Sequence, residues 1–180
     1  YQGSPGAYSH LAAKELYPNS QISACKTFDE CFRRADEDSE IRIIIPESNR
    51  ITGNIGIEYL IFKHRLNIYN EHFHIIEHNL LGLPGAKLEN IKNVYSHAQA
   101  LSQCSEFIKK NNINENVRAD TAGSAALISE TKNKSDAAIA SKLSAEIYKL
   151  DIIASNIENE KGNVTRFLIM GKNILQPELG

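Results

Sequence analysis

Three times between residues 93 and 148 a short apolar stretch runs into a helix-capping residue and then into an amphipathic segment. Asn93-Val94-Tyr95-Ser96 precedes residues 97–110, Val117-Arg118-Ala119 precedes residues 120–130, and Asp136-Ala137-Ala138-Ile139-Ala140 precedes Ser141 and residues up to 148. Strands joined through helices lie parallel, with the helices packed on the sheet faces. The pattern therefore predicts an α/β fold with mostly parallel sheets. Each strand end that leads into a capped helix is also a place where a ligand can sit.

The flanking regions extend the alternation. Residues 5–17 carry Ala7, Tyr8, Leu11, Ala12 and Leu16 at helical spacing, closed by Pro18-Asn19. Residues 21–24 read as a short strand, and Thr27-Phe28-Asp29-Glu30 fits a capping box opening a helix to about residue 35. Ile41-Arg42-Ile43-Ile44-Ile45 is a β-branched strand stopped by Pro46, which makes 46–56 a loop at a strand's carboxyl edge and a candidate wall of a site. Residues 57–63 are helical in pattern, 66–83 largely extended up to the turn Leu83-Pro84-Gly85-Ala86, 152–157 extended, and 165–170 the last strand. The long non-helical stretches 66–83 and 152–165 separate two α/β blocks. They predict two subdomains, 1–78 with 158–175 and 79–157, followed by a tail at 176–180. The last strand re-enters the first sheet, and a cleft lies between the lobes.

Composition narrows the function. A net charge of −2 over 180 residues, with acids and bases interspersed, leaves no electrostatic footprint for nucleic acid or a membrane surface. Partners are expected to be small molecules or copies of the chain itself. Cys25, Cys31 and Cys104 are odd in number and lack C-x-x-C spacing, so neither a disulfide framework nor a thiolate zinc site is indicated. That cysteine usage makes a reducing cytoplasm the expected compartment; no apolar run of about 20 residues and no charged-then-apolar leader is seen, and the missing initiator Met implies a start that was processed or trimmed.

Several polar groups are candidates for chemistry. The helix starts at Ser96-His97, Asp120-Thr121 and Ser141 suit anions and equally suit plain capping. Behind Ser96, His97 and Gln99 can both present hydrogen-bonding groups, with Gln103 one turn on. Gln2-Gly3-Ser4-Pro5-Gly6 lacks the third glycine and the Lys-Ser/Thr pair of a phosphate loop. His72, His74 and His78, beside Glu71 and Glu77, share one face of an extended segment. They read as ordinary strand histidines, and no metal is expected. Cys104 reads as a small core residue on an apolar helix face. Thr165-Arg166-Phe167 joins a hydroxyl that can donate a proton to a guanidinium that can grip a carboxylate.

In chain order, Tyr1-Gln2-Gly3, Gly6-Ala7-Tyr8-Ser9, Ser96-His97-Ala98-Gln99-Ala100-Leu101, Asp120-Thr121-Ala122-Gly123-Ser124-Ala125 and Thr165-Arg166-Phe167 resemble the prephenate dehydratase domain. Ala138-Ile139-Ala140-Ser141 and Asn163 also follow that family's pattern, and the likeness covers nearly the whole chain. The resemblance implies two α/β lobes similar to the type II periplasmic binding proteins, with the active site in the cleft. It implies a cofactor-free hydro-lyase of phenylalanine biosynthesis that converts prephenate to phenylpyruvate, or acts on the amino analogue arogenate, and that forms a homodimer or larger assembly. Carried over, Thr165 and Arg166 are the catalytic residues; Ser96, His97, Gln99, Asn49, Thr121, Gly123, Ser124 and Phe167 hold substrate. The likeness stops short of the ACT-type phenylalanine-sensing domain that commonly follows in the family. One position departs: where the family reads Pro-x-Glu-Asn, this chain has Pro46-Glu47-Ser48-Asn49, so Ser48 takes the usual Glu place. That change motivates a second expectation, a small-anion binding module of the same fold without turnover.

Overall fold

The computed structural model describes residues 1–173. The end of the first predicted subdomain and the tail at 176–180 lie outside the described residues. The elements in chain order are α1 (Tyr8–Leu16), α2 (Phe28–Glu37), β1 (Ile43–Asn49), β2 (Gly53–Asn54), α3 (Glu58–His64), β3 (Asn67–Ile75), β4 (Asn79–Gly82), a 3-10 turn at Leu88–Asn90, β5 (Asn93–His97), α4 (Ala98–Gln103), α5 (Ser105–Lys110), β6 (Asn114–Arg118), α6 (Thr121–Glu130), β7 (Asp136–Ala140), α7 (Lys142–Tyr148), β8 (Asp151–Ala154) and β9 (Val164–Gly171). No helix among the described residues is long and apolar enough to cross a membrane.

Two sheets form, ordered β2-β1-β9-β3 and β6-β5-β7-β4-β8. Each is covered on both faces, as an α/β fold requires. In the second sheet, Leu80, Val94, Ala137 and Ile139 pack with Leu101, Cys104 and Ile108 of the α4–α5 side. The alternate residues Leu81, Ala138 and Ala140 pack with Ala125, Ile128 and Ala145 of α6 and α7. In the first sheet, Ile43, Ile45, Leu168 and Met170 meet Phe32 and Ala35 of α2, while Ile44, Phe167 and Ile169 meet Ala12 and Ala13 of α1. The two-residue period of a strand divides the apolar residues between the two cores, which is why β7 is buried throughout.

Strand direction departs from expectation in part. β5 pairs parallel with β6 and β7, as strand-helix-strand connections require. β4 pairs antiparallel with β7 and β8, and every pairing in the first sheet is antiparallel. In the first sheet the cause is the return of β9, which enters from the second lobe and lies between β1 and β3, antiparallel to both.

Two local expectations also change. Residues 21–24 form no strand; a single bridge joins Gln2 to Cys25, with Cys25 N–H donating to Tyr1 O at 2.8 Å. β1 runs through Pro46 to Asn49 instead of stopping. Pro46 is tolerated because β2 pairs only with Ser48 and Asn49, so at Pro46 β1 has a neighbour on one side alone and no N–H is missed.

The chain crosses between the sheets twice, at residues 76–78 and 155–163, and the crossings are hydrogen-bonded to each other. Ile76 N–H donates to Asn163 O at 2.8 Å and Ile157 N–H to His78 O at 3.0 Å. A third joint is made by Gly6, whose carbonyl accepts from Ser141 Oγ at 2.6 Å and Ser144 Oγ at 3.0 Å.

Candidate active site

A cavity of about 530 Å³ opens between the two sheets. Pro46, Asn49, Thr165 and Phe167 line it from the first sheet, His97, Gln99 and Gln103 from the β5–α4 junction, and Asp120 and Thr121 from the start of α6. Phe28, Ile55, Ile76 and Phe167 give it apolar walls. No Lys or Arg lines it among the described residues, so an anion bound there would rely on neutral donors and helix N-termini.

Thr165 and Arg166 are separated by the strand period. Thr165 and Phe167 face the cavity and are buried. Arg166 points to the other face, where its Nε donates to Glu71 at 2.7 Å and its Nη1 lies 3.4 Å from the Glu47 carboxylate. It ties β3 and β1 together across β9 and does not reach the cavity.

Asn49 reaches the cavity because of a bulge. Pro46 pairs with Phe167 and Ser48 with Arg166, so Glu47 is the extra residue. Strict alternation would put Pro46 and Asn49 on opposite faces; the bulge places both at the cavity. The side-chain Oδ1 of Asn49 accepts from Ile51 N–H at 2.9 Å and Thr52 N–H at 3.1 Å, which turns its Nδ2 toward Thr165. That nitrogen donates to Thr165 Oγ1 and to Asn163 Oδ1, both at 2.8 Å. Glu47 and Ser48 do not line the cavity; the Ser48 hydroxyl donates to Glu47 at 2.5 Å. The displaced acid at Ser48 is therefore a feature of the Arg166 side.

The hydrogen bonds continue beyond Asn163. Asn163 Nδ2 donates to Gln103 Oε1 at 3.2 Å, and the same oxygen meets His78 Nε2 at 2.8 Å. His78 Nδ1 lies 2.8 Å from the Tyr8 hydroxyl, and His78 N–H donates to Glu158 at 3.0 Å. Burial holds the His78 pKa below the ordinary histidine value, against the opposing effects of Gln103 and Glu158. Its ring is thus neutral; with Gln103 Oε1 accepting from Nε2, Nδ1 is an acceptor that shares the single Tyr8 hydroxyl proton with the Glu77 carbonyl, 2.9 Å from the same hydroxyl. Burial also raises the Tyr8 hydroxyl well above its ordinary value, keeping it a neutral donor. For Glu158 burial pushes upward, but Lys161 and backbone N–H groups outweigh it and hold the carboxyl low.

Of the residues assigned from the sequence, Thr165, Asn49, His97, Gln99, Thr121 and Phe167 meet at the cavity. Ser96 does not: it is the fourth residue of β5, wholly buried, and its hydroxyl donates to Ile139 O at 2.7 Å. The cap of α4 is His97, whose Nδ1 accepts from Gln99 N–H at 3.3 Å, and the helix breaks at Cys104. Gly123 and Ser124 serve the start of α6. Gly123 N–H donates to Asp120 at 2.6 Å, and a Cβ at Gly123 would lie 2.6 Å from the same carboxylate. The Ser124 hydroxyl donates to Asp120 O at 2.8 Å. Ser141 contacts Gly6 instead of the cavity.

Tyr8, His78 and Gln103 are the site residues that the sequence did not single out as such. His78 lies past the end of β3 in the crossing to β4, off the strand that carries His72 and His74. The available signals were the helical spacing of Gln103 from Gln99 and the place of Tyr8 in the Gly6-Ala7-Tyr8-Ser9 motif.

Comparison with known proteins agrees with this geometry. A family profile for prephenate dehydratase matches residues 1–174. The arogenate dehydratase/prephenate dehydratase 1 of Arabidopsis thaliana is 39% identical over 178 residues, covering 98% of this chain and 45% of its own length. Arogenate dehydratase 1 of Petunia hybrida is 38% identical over 182 residues, 99% of this chain and 43% of its own. The chain thus spans less than half the length of these relatives. Among solved structures, the prephenate dehydratase of Staphylococcus aureus superposes with a TM-score of 0.84 at 26% identity, over 97% of this chain and 66% of that one. GqqA, described as a novel type of quorum quenching acylase, does so with a TM-score of 0.90 at 33% identity, over 97% and 64%. The fold shared with the dehydratase structures is the two-lobed architecture similar to the periplasmic binding proteins. With its profile match running from the first residue through the Thr165-Arg166-Phe167 strand, this chain belongs to the prephenate dehydratase family.

Proposed function

We propose that this chain is a dehydratase catalytic domain that converts prephenate to phenylpyruvate, with dehydration of the amino analogue arogenate, the activity for which the plant relatives are named, as the alternative reading. The observation that carries the reading is the Thr165 hydroxyl, buried in the interlobe cavity and accepting from the Asn49 amide at 2.8 Å. An oxygen that accepts there has its own O–H left to donate into the cavity. In the reaction the C1–carboxylate bond breaks, its electron pair enters the ring, and the C4–oxygen bond breaks as the hydroxyl departs with a proton as water. Aromatisation drives the step, so the protein supplies orientation and a hydrogen bond to the departing oxygen. A threonine is a weak acid, so Thr165 stabilises the leaving oxygen and the proton comes ultimately from solvent. His97, Gln99 and Thr121, at the starts of α4 and α6, bind the substrate carboxylates. Arg166 braces the strands from the opposite face.

The two sheets correspond on this reading to subdomains 1–78 with 158–175 and 79–157, closing over the substrate. Assembly as a homodimer belongs to the same proposal, supported by the exposed Tyr59 and Phe62 on α3 and testable by sedimentation. The experiment for the activity incubates the chain with prephenate and, separately, arogenate, and detects phenylpyruvate and phenylalanine. Turnover well above the spontaneous rate is expected. Substrate binding without product, in a folded chain, would establish the non-catalytic binding module instead.

A further inference from the structure

His72 and His74 stand two apart on β3 and so face the same side of the first sheet, toward α1. Glu15, from the last turn of α1, meets them there. Its Oε2 lies 3.0 Å from His74 Nδ1 and 3.4 Å from His72 Nε2, and one ligand atom from each of the three residues falls within 4.8 Å of the others. Zinc bonds to nitrogen and oxygen are about 2.0–2.1 Å, which sets the edges of a tetrahedral site at roughly 3.3 Å. The two carboxylate-to-imidazole distances bracket that edge.

An ordinary hydrogen bond accounts for one of these contacts only. Glu15 accepts from His74, but His72 Nε2 is withdrawn from solvent and has no hydrogen-bond partner, because its approach to Glu15 is out of hydrogen-bond geometry. A buried polar atom left unpaired is costly and requires an explanation. A cation at the centre of the three groups provides one. On the open side lies a cavity of about 290 Å³ lined by Glu15 and His74, with Glu77 and Lys142 on its wall.

We propose that Glu15, His72 and His74 form a binding site for a divalent transition cation of the zinc class, clamping α1 to β3 and leaving a coordination position open to the adjoining cavity. Two imidazoles and one carboxylate favour zinc, cobalt or nickel over magnesium or calcium, which prefer all-oxygen shells. In the sheet register His74 and His72 are the partners of Thr165 and Phe167, so the cation sits one strand away from the cleft. The proposal stands independently of the dehydratase reading.

The test is titration of the chelator-treated chain with Zn²⁺ or Co²⁺, followed by calorimetry and, for cobalt, visible absorption. One equivalent is expected, with tetrahedral cobalt bands and no thiolate-to-cobalt band from the three cysteines. H72N and E15Q are each expected to weaken binding at least about tenfold, since even a lost second-shell partner costs about that much. Zn²⁺ should raise the thermal midpoint of the parent and of neither variant. Absence of binding, a thiolate band, or binding unchanged in both folded variants would overturn the site.

Discussion

Among the described residues the Thr165 hydroxyl takes part in one protein hydrogen bond, from Asn49, and Asn49 is itself fixed by two backbone N–H groups. Thr165→Ala removes the donor while leaving the strand intact, and turnover of prephenate should fall by roughly a hundredfold or more. Thr165→Ser, which keeps the oxygen, should restore most of it in steady-state assays. Arg166 belongs to a different problem. Its partners Glu71 and Glu47 form a partly exposed cluster, so Arg166→Met should cost no more than about 1 kcal/mol in a denaturant titration. It should leave KM for prephenate unchanged; a large rise in KM would put Arg166 in contact with substrate after all. The pair Thr165-Arg166 was legible in the sequence as chemistry. Its division between two faces follows from the strand period, but which face holds the cavity depends on α1 and the second lobe.

At the scale of elements, the bulge in β1 and the turn before α1 position the site. Gly6 has φ +93°, and a Cβ there would lie 2.5 Å from Ser144 Oγ and 2.9 Å from Ser144 Cα. Gly6→Ala should therefore destabilise the chain by about 1–3 kcal/mol through strain and overpacking, seen as a lowered thermal midpoint. The helices were readable because their signals are local. Thr27 accepts from Glu30 N–H at 3.1 Å as the capping box expects, and Asp120 and Ser141 cap α6 and α7. The end of β1 was misread because proline normally ends an interior strand, and an open edge at Pro46 is a property of the assembled sheet. Ser96 was misread for a similar reason: β5 runs one residue further, and the capping role passes to His97.

Across the whole molecule, His78 and Asn163 occupy the two crossings, and Gln103 of the second lobe bonds to both. Gln103→Leu should loosen this joint, raising KM more than it lowers kcat. Stability should also depend on pH in a definite direction. Burial lowers the pKa of His78, His10 and His74, so the unfolded chain takes up protons that the folded chain refuses. The stability is full above an unfolded histidine pKa of about 6.5 and is lost as pH falls below it. Thermal midpoints measured with chelator from about pH 7.5 to 5 should show the loss, and His78→Gln should flatten it.

The sequence by itself determined the α/β class, the capped starts of α2, α6 and α7 and the family, because periodicity, capping and motif order are carried by residues close together in the chain. Only the tertiary structure decided the strand directions, the facing of Arg166 and the Tyr8-His78-Gln103-Asn163-Asn49-Thr165 network. Those depend on β9 returning to pair between β1 and β3, and on contacts spanning separations of 25 to 116 residues, for which no local pattern exists. The Thr165-Arg166-Phe167 triplet named the chemistry, and the fold chose which of its side chains faces the cleft.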